Sequence, residues 1–97
     1  MIVSFRNQGS EDIFDGNDSK EARKTCPKNL WSICRRKLDQ LNAASSLNDM
    51  KIPPGNKLEA LKRDSVGQYS IRINDQYRIW FMWTEKGPKL VEIVDYQ

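Results

Sequence analysis

Residues 77–84 read YRIWFMWT, a run that is largely apolar on both faces a strand would present: Tyr77, Ile79, Phe81 and Trp83 alternate with Arg78, Trp80, Met82 and Thr84. A strand of this kind is expected at the centre of a sheet, with a neighbour on each edge. The chain offers the neighbours. Residues 68–74 put Tyr69, Ile71 and Ile73 on one face and Gln68, Ser70, Arg72 and Asn74 on the other, and a last strand, 89–96 (KLVEIVDY), follows the turn EKGP at 85–88. With 97 residues, 38% of them hydrophobic, there is room for one core and one domain spanning 1–97.

Register decides where the arginines of this hairpin fall. To bring the Ile71 face against the Ile79 face, the connection must hold an odd number of residues. A three-residue loop of Asn74, Asp75 and Gln76 pairs Ile73 with Tyr77 and Arg72 with Arg78. Two cations directly opposite are unfavourable by some tenths of a kcal/mol, so an anion sharing the site would explain them. Replacing either arginine is then expected to leave stability unchanged or slightly higher.

The N-terminal half reads differently. Residues 1–5 (MIVSF) are β-prone and stable only within a larger sheet. Ser10 can cap a short helix that Gly16 ends, and 17–26 is polar and loop-like. In 27–44 (PKNLWSICRRKLDQLNAA), Pro27 suits a first helical turn, and Leu30, Cys34, Leu38 and Leu41 form an apolar stripe. Arg35, Arg36 and Lys37 stand mostly off that stripe, as a solvated ridge or as a contact for a partner or RNA. Residues 52–56 (IPPGN) forbid regular structure, so Lys57 follows a stiff connector and begins the short strand LEAL. One strand, helices, then several strands give the class α+β: a compact fold with a twisted, mainly antiparallel sheet and the helices on one face. Trp31, Trp80, Phe81 and Trp83 are expected in the core.

Several function classes lack their residues. There is no histidine, no CxxC and no DxD, so no metal site is expected. On one helix, Cys26 and Cys34 would be about 12 Å apart, too far for a disulfide, and are expected to be ordinary thiols. No window reaches the roughly 18 apolar residues of a membrane span, and 1–8 lacks the pattern of a signal peptide, which places the protein in the cytoplasm. Residues 1–18 carry a balance of −3 and residues 19–97 a balance of +6. Such a cationic body attracts polyanions, though solubility alone also accounts for it.

Nucleophile motifs and Gly-rich phosphate loops are missing too. Cations, a tyrosine and a few polar groups remain near one sheet face: Lys57, Ser70, Arg72, Asn74, Arg78, Asp95, Tyr96 and Gln97. They suit RNA cleavage by the substrate's own 2′-hydroxyl, in which the protein chiefly stabilises a negatively charged pentavalent phosphate. Guanidinium forks match phosphate oxygens two at a time.

Three motifs, PPGNKLEAL (53–61), GQYSIRINDQYRI (67–79) and VEIVDYQ (91–97), resemble the HigB branch of the RelE-like toxins of bacterial toxin-antitoxin pairs. The resemblance implies the RelE-like microbial-RNase fold, ribosome-dependent cleavage of mRNA in the A site without a metal or other cofactor, and a helix-turn-helix antitoxin as partner. Operator DNA would be reached only through that antitoxin. It also implies roles: Arg72 and Arg78 hold the scissile phosphate, Lys57 assists, Asn74 positions the nucleotide, Tyr96 stacks on a base, and Asp95 acts as a base or orients an arginine. The branch typically ends this motif in DYH. Here the chain reads DYQ, and Gln97 can hydrogen-bond but cannot exchange a proton near neutral pH, so either another group is the base or the protein binds without cutting.

Overall fold

The strand with two apolar faces lies inside a sheet, as its pattern requires. In the computed structural model, which describes residues 1–61 and 67–95, helices α1 (Gln8–Asp15), α2 (Lys20–Thr25) and α3 (Trp31–Ala43) precede strands β1 (Glu59–Ala60), β2 (Gln68–Arg72), β3 (Tyr77–Thr84) and β4 (Gly87–Asp95). The strands form one antiparallel sheet in the order β1-β2-β3-β4, which makes the fold α+β. One sheet face supplies Ile71, Ile73, Ile79, Phe81, Val91 and Ile93 to a core shared with Ile13, Cys34, Leu38, Leu41 and Met50. Of the expected core aromatics only Phe81 is fully buried; Trp31, Trp80 and Trp83 are half-buried, and Trp80 alternates with Phe81 and so faces away from the helices.

The N-terminal run joins the sheet along β4. Phe5 bridges Val91 in parallel, Val3 donates its N–H to Pro88 O (2.7 Å), and Val91 donates to Ser4 O (3.1 Å). An irregularity in the β3–β4 register sets Trp80 opposite Glu92 but Met82 opposite Lys89, and Leu90 in the extra length adopts a left-handed φ of 53°.

Three local expectations change. The cap of α1 is Asn7, whose side chain accepts from Ser10 N, while Ser10 is buried and its hydroxyl accepts from Ile93 N (2.9 Å). An inner β4 amide needed an acceptor, and the helix supplies one. Residues 17–26 are not all loop, because Ser19 caps α2 by accepting from Ala22 N. The cysteines also do not share a helix. Cys26 ends α2, the chain turns through Pro27 and a 3₁₀ turn at Lys28–Leu30, and the Cys26 and Cys34 sulfurs meet at 3.7 Å as buried free thiols.

Helices α1 and α2 pack closely because residue 9 has no side chain. A methyl added at Gly9 would run into Thr25 Oγ1 and sit 2.6 Å from the backbone oxygen of Glu21. Gly9→Ala is therefore expected to cost about 1–3 kcal/mol, seen as a clear fall in melting temperature by calorimetry; an unchanged transition would mean that the helix pair separates at no cost.

Candidate active site

The hairpin has the register that its apolar pattern demanded. Arg72 is the cross-strand partner of Arg78, Ser70 of Trp80 and Ile71 of Ile79. The connection is the three-residue loop Asn74, Asp75 and Gln76, closed by Ile73 N donating to Tyr77 O (3.0 Å). Asn74 shapes it, since its side-chain oxygen accepts from Gln76 N (2.9 Å) and Tyr77 N (2.7 Å). That oxygen is thus engaged by the loop, so of the Asn74 amide it is the Nδ2 group that is left for a nucleotide.

The two arginines share a sheet face but not an environment. Arg78 is only 6% exposed: its Nε donates to Ser70 Oγ (2.9 Å), its Nη2 donates to Lys57 O (2.7 Å), and the same nitrogen lies 3.8 Å from Glu59 Oε1. Arg72 keeps a third of its side chain exposed and pairs with Asp75, itself almost fully in solvent. Arg78 is a strut, and Arg72 is the fork that a ligand can reach. The stability expectation for Arg78 is corrected accordingly, because a buried guanidinium with several partners cannot be removed without loss.

Lys57 is positioned by what precedes it. In the 3₁₀ turn Pro54–Asn56, Asn56 is fully buried and its amide donates to Gln40 Oε1, Met50 O and Ile52 O (3.2–3.3 Å). Lys57 then takes a left-handed conformation (φ 46°, ψ 57°), its carbonyl held by Arg78 and its side chain exposed. A backbone fixed at both sides sets the point from which the exposed Lys57 side chain leaves the chain.

Lys37, read above as part of the basic ridge, and Glu59, which the sequence did not single out, join this cluster. Lys37 donates to Asn56 Oδ1, and its pKa is lowered, chiefly by burial and then by the positive charges of Arg36 and Arg72. A signal existed: Ile33, Lys37 and Leu41 fall at i, i+4 and i+8, so Lys37 borders the buried face of α3. Glu59 stands opposite Ser70, next to Arg78. The ridge 35–37 therefore divides, with Arg35 Nη1 lying over Gly16 while Lys37 turns to the connector.

Asp95 is less well placed than expected. It pairs with Tyr77, whereas Val94 is the residue across from Arg78, so the pleat turns Asp95 toward the opposite face; its carboxylate accepts from Gln76 Nε2 (2.9 Å). Glu92, across from Trp80, is the other carboxylate that the register puts on the arginine face; burial raises its pKa, opposed by Arg6 at 3.4 Å. Tyr96 and Gln97 lie outside the described residues. Among the described residues no group of three or more His, Cys, Asp or Glu is placed to hold a metal, and no helix is long and apolar enough to cross a membrane. Arg78 thus ties the backbone of Lys57 to the strand pair that carries Arg72, and the side chains of Arg72 and Lys57 both keep access to solvent, where a cation can meet an anion.

A family model described as the RelE-like toxin of type II toxin-antitoxin system HigB matches residues 3–97. The chain is similar to Toxin HigB-1 of Vibrio cholerae serotype O1, being 36% identical over 85 residues, which are 88% of this chain and 86% of that one. It is also similar to an uncharacterized protein of Haemophilus influenzae, 42% identical over 57 residues, 59% of this chain and 56% of the relative.

Proposed function

Because the chain belongs to the HigB family of RelE-like type II toxins, we propose that it is a ribosome-dependent endoribonuclease that cuts mRNA in the A site, using the RNA 2′-hydroxyl as nucleophile and needing no metal. The observation that carries this reading is the unequal arginine pair, in which exposed Arg72 stands across from buried Arg78, and Arg78 in turn holds the backbone of Lys57. In the reaction the 2′-oxygen bonds to phosphorus and the bond to the 5′-oxygen breaks. A base takes the 2′-proton, an acid returns one to the leaving oxygen, and the products end in a 2′,3′-cyclic phosphate and a 5′-hydroxyl. Arg72 and Lys57 stabilise the added charge on the non-bridging oxygens. Arg78 acts through them as a positioning residue, Asn74 holds the loop that carries Arg72, and Tyr96 stacks on a base. Membership of a toxin-antitoxin family implies an antitoxin; we take it to be a helix-turn-helix protein that alone contacts operator DNA, and the pair to work in the cytoplasm.

A second reading is favoured by Gln97, where the branch carries histidine: the protein grips RNA and antitoxin without cutting. Induced expression separates the two. The enzyme reading expects growth arrest and mRNA cuts from the chain as it stands, with Gln97→His faster by about 10²-fold, the lower end of general acid–base help. Cuts that appear only with histidine would make the present chain a binding form.

A further inference from the structure

Beside the Arg72–Lys57 cradle, α3 presents two more cations at a cavity of about 350 Å³ lined by Arg36, Lys37, Gln40 and Pro53. A chain of contacts links its wall to the cradle: Lys37 bonds Asn56, the next residue is Lys57, and Lys57 is tied by Arg78 to the strand pair that carries Arg72. Among the described residues no ion pair involves Arg36 or Lys37. The contact made by the Lys37 ammonium is a neutral amide oxygen, which leaves further donor capacity on a half-buried cation. Its pKa is lowered first by burial and then by two like charges, so an anion in the cavity would relieve what the fold imposes.

We propose that the Arg36–Lys37 cavity is a second phosphate subsite, taking the RNA phosphodiester next to the one held at Arg72 and Lys57. This rests on the endoribonuclease reading and extends it, since a strand gripped at two successive phosphates is fixed in direction as well as position. Gln40 at the cavity wall is already engaged, donating to Ile52 O and accepting from Asn56 Nδ2, so the two cations are the groups left for an anion.

The test uses a single-stranded 2′-O-methyl RNA 12-mer, which binds but cannot be cut, titrated by fluorescence anisotropy at several salt concentrations. The variants are Arg36→Ala, Lys37→Met and Arg72→Ala, with Lys86→Ala in the β3–β4 turn as a distant control. Arg36→Ala and Lys37→Met are each expected to weaken binding about 3- to 10-fold and to lower the log–log salt slope by about 0.7, the value of one phosphate contact on a single strand. Lys86→Ala should bind as wild type. The Arg36 side chain makes no hydrogen bond among the described residues, so its variant keeps the test valid if Lys37→Met loosens the connector. Arg36→Ala and Lys37→Met binding like wild type while Arg72→Ala is weakened would overturn the subsite and leave the proposed function standing. No loss with Arg72→Ala would overturn both, whereas no binding of the free RNA by the wild type would overturn the subsite and leave the ribosome-dependent reading standing, because there the ribosome presents the strand.

Discussion

Arg72→Ala is expected to abolish cleavage while leaving the fold as stable as before. The side chain is a third exposed, and its partner Asp75 is 96% exposed. A surface pair of that kind is worth about 0–1 kcal/mol. Removing the guanidinium also relieves its cross-strand opposition to Arg78, by some tenths of a kcal/mol in the other direction. The two effects nearly cancel. Catalysis has no such compensation, because losing one donor to a developing oxyanion typically costs about 10²- to 10³-fold, and a charged bidentate donor sits at the upper end. Cleavage rates on ribosome-bound mRNA, measured beside thermal melts, check both halves. A large fall in melting temperature with cleavage intact would make Arg72 structural.

Arg78→Ala should lose activity for another reason, by loosening the frame. Its guanidinium is buried and satisfies Ser70 Oγ and the Lys57 carbonyl while facing Glu59. Truncation leaves those acceptors unpaired beneath the sheet face. Breaking a fully buried charged network costs about 3–5 kcal/mol, but Glu59 is half-exposed and can rehydrate, so about 2–4 kcal/mol is expected. For a domain of this size that is a fall of roughly 10–25 °C in melting temperature. Arg78→Lys should recover only part of it, since a single ammonium on a flexible stem cannot reproduce the planar fork that spans Ser70 and Lys57. Melting unchanged in Arg78→Ala would mean that the guanidinium points at substrate rather than into the protein.

The contrast between these two residues shows how far the sequence could be read. Strand alternation and an odd loop were enough to place Arg72 opposite Arg78, because register in an apolar hairpin is set by two-residue periodicity and turn length. The position of β3 inside the sheet followed from its two apolar faces. Burial did not follow, since it depends on the connector folding under the sheet so that the Lys57 carbonyl meets Arg78, a contact between residues 21 positions apart. The same limit hid Lys37: its place beside Asn56 is a tertiary fact that helical periodicity only hints at. Tertiary needs override local rules at Ser10, where a β4 amide takes the hydroxyl as acceptor, and at the cysteines, which are the free thiols expected but meet across a turn at Pro27 rather than lying along one helix. The pleat, once the register was known, also moved Asp95 away from the arginine face and put Glu59 there.

In the proposed mechanism the RNA supplies its own nucleophile, and one substitution in the substrate tests this. An mRNA carrying a single 2′-deoxy nucleotide on the 5′ side of the cleaved bond, presented in the ribosomal A site, should resist cutting there. The unmodified message should give fragments ending in a 2′,3′-cyclic phosphate and beginning with a 5′-hydroxyl. Cleavage at the 2′-deoxy position, or fragments with a 3′-hydroxyl and a 5′-phosphate, would contradict the mechanism.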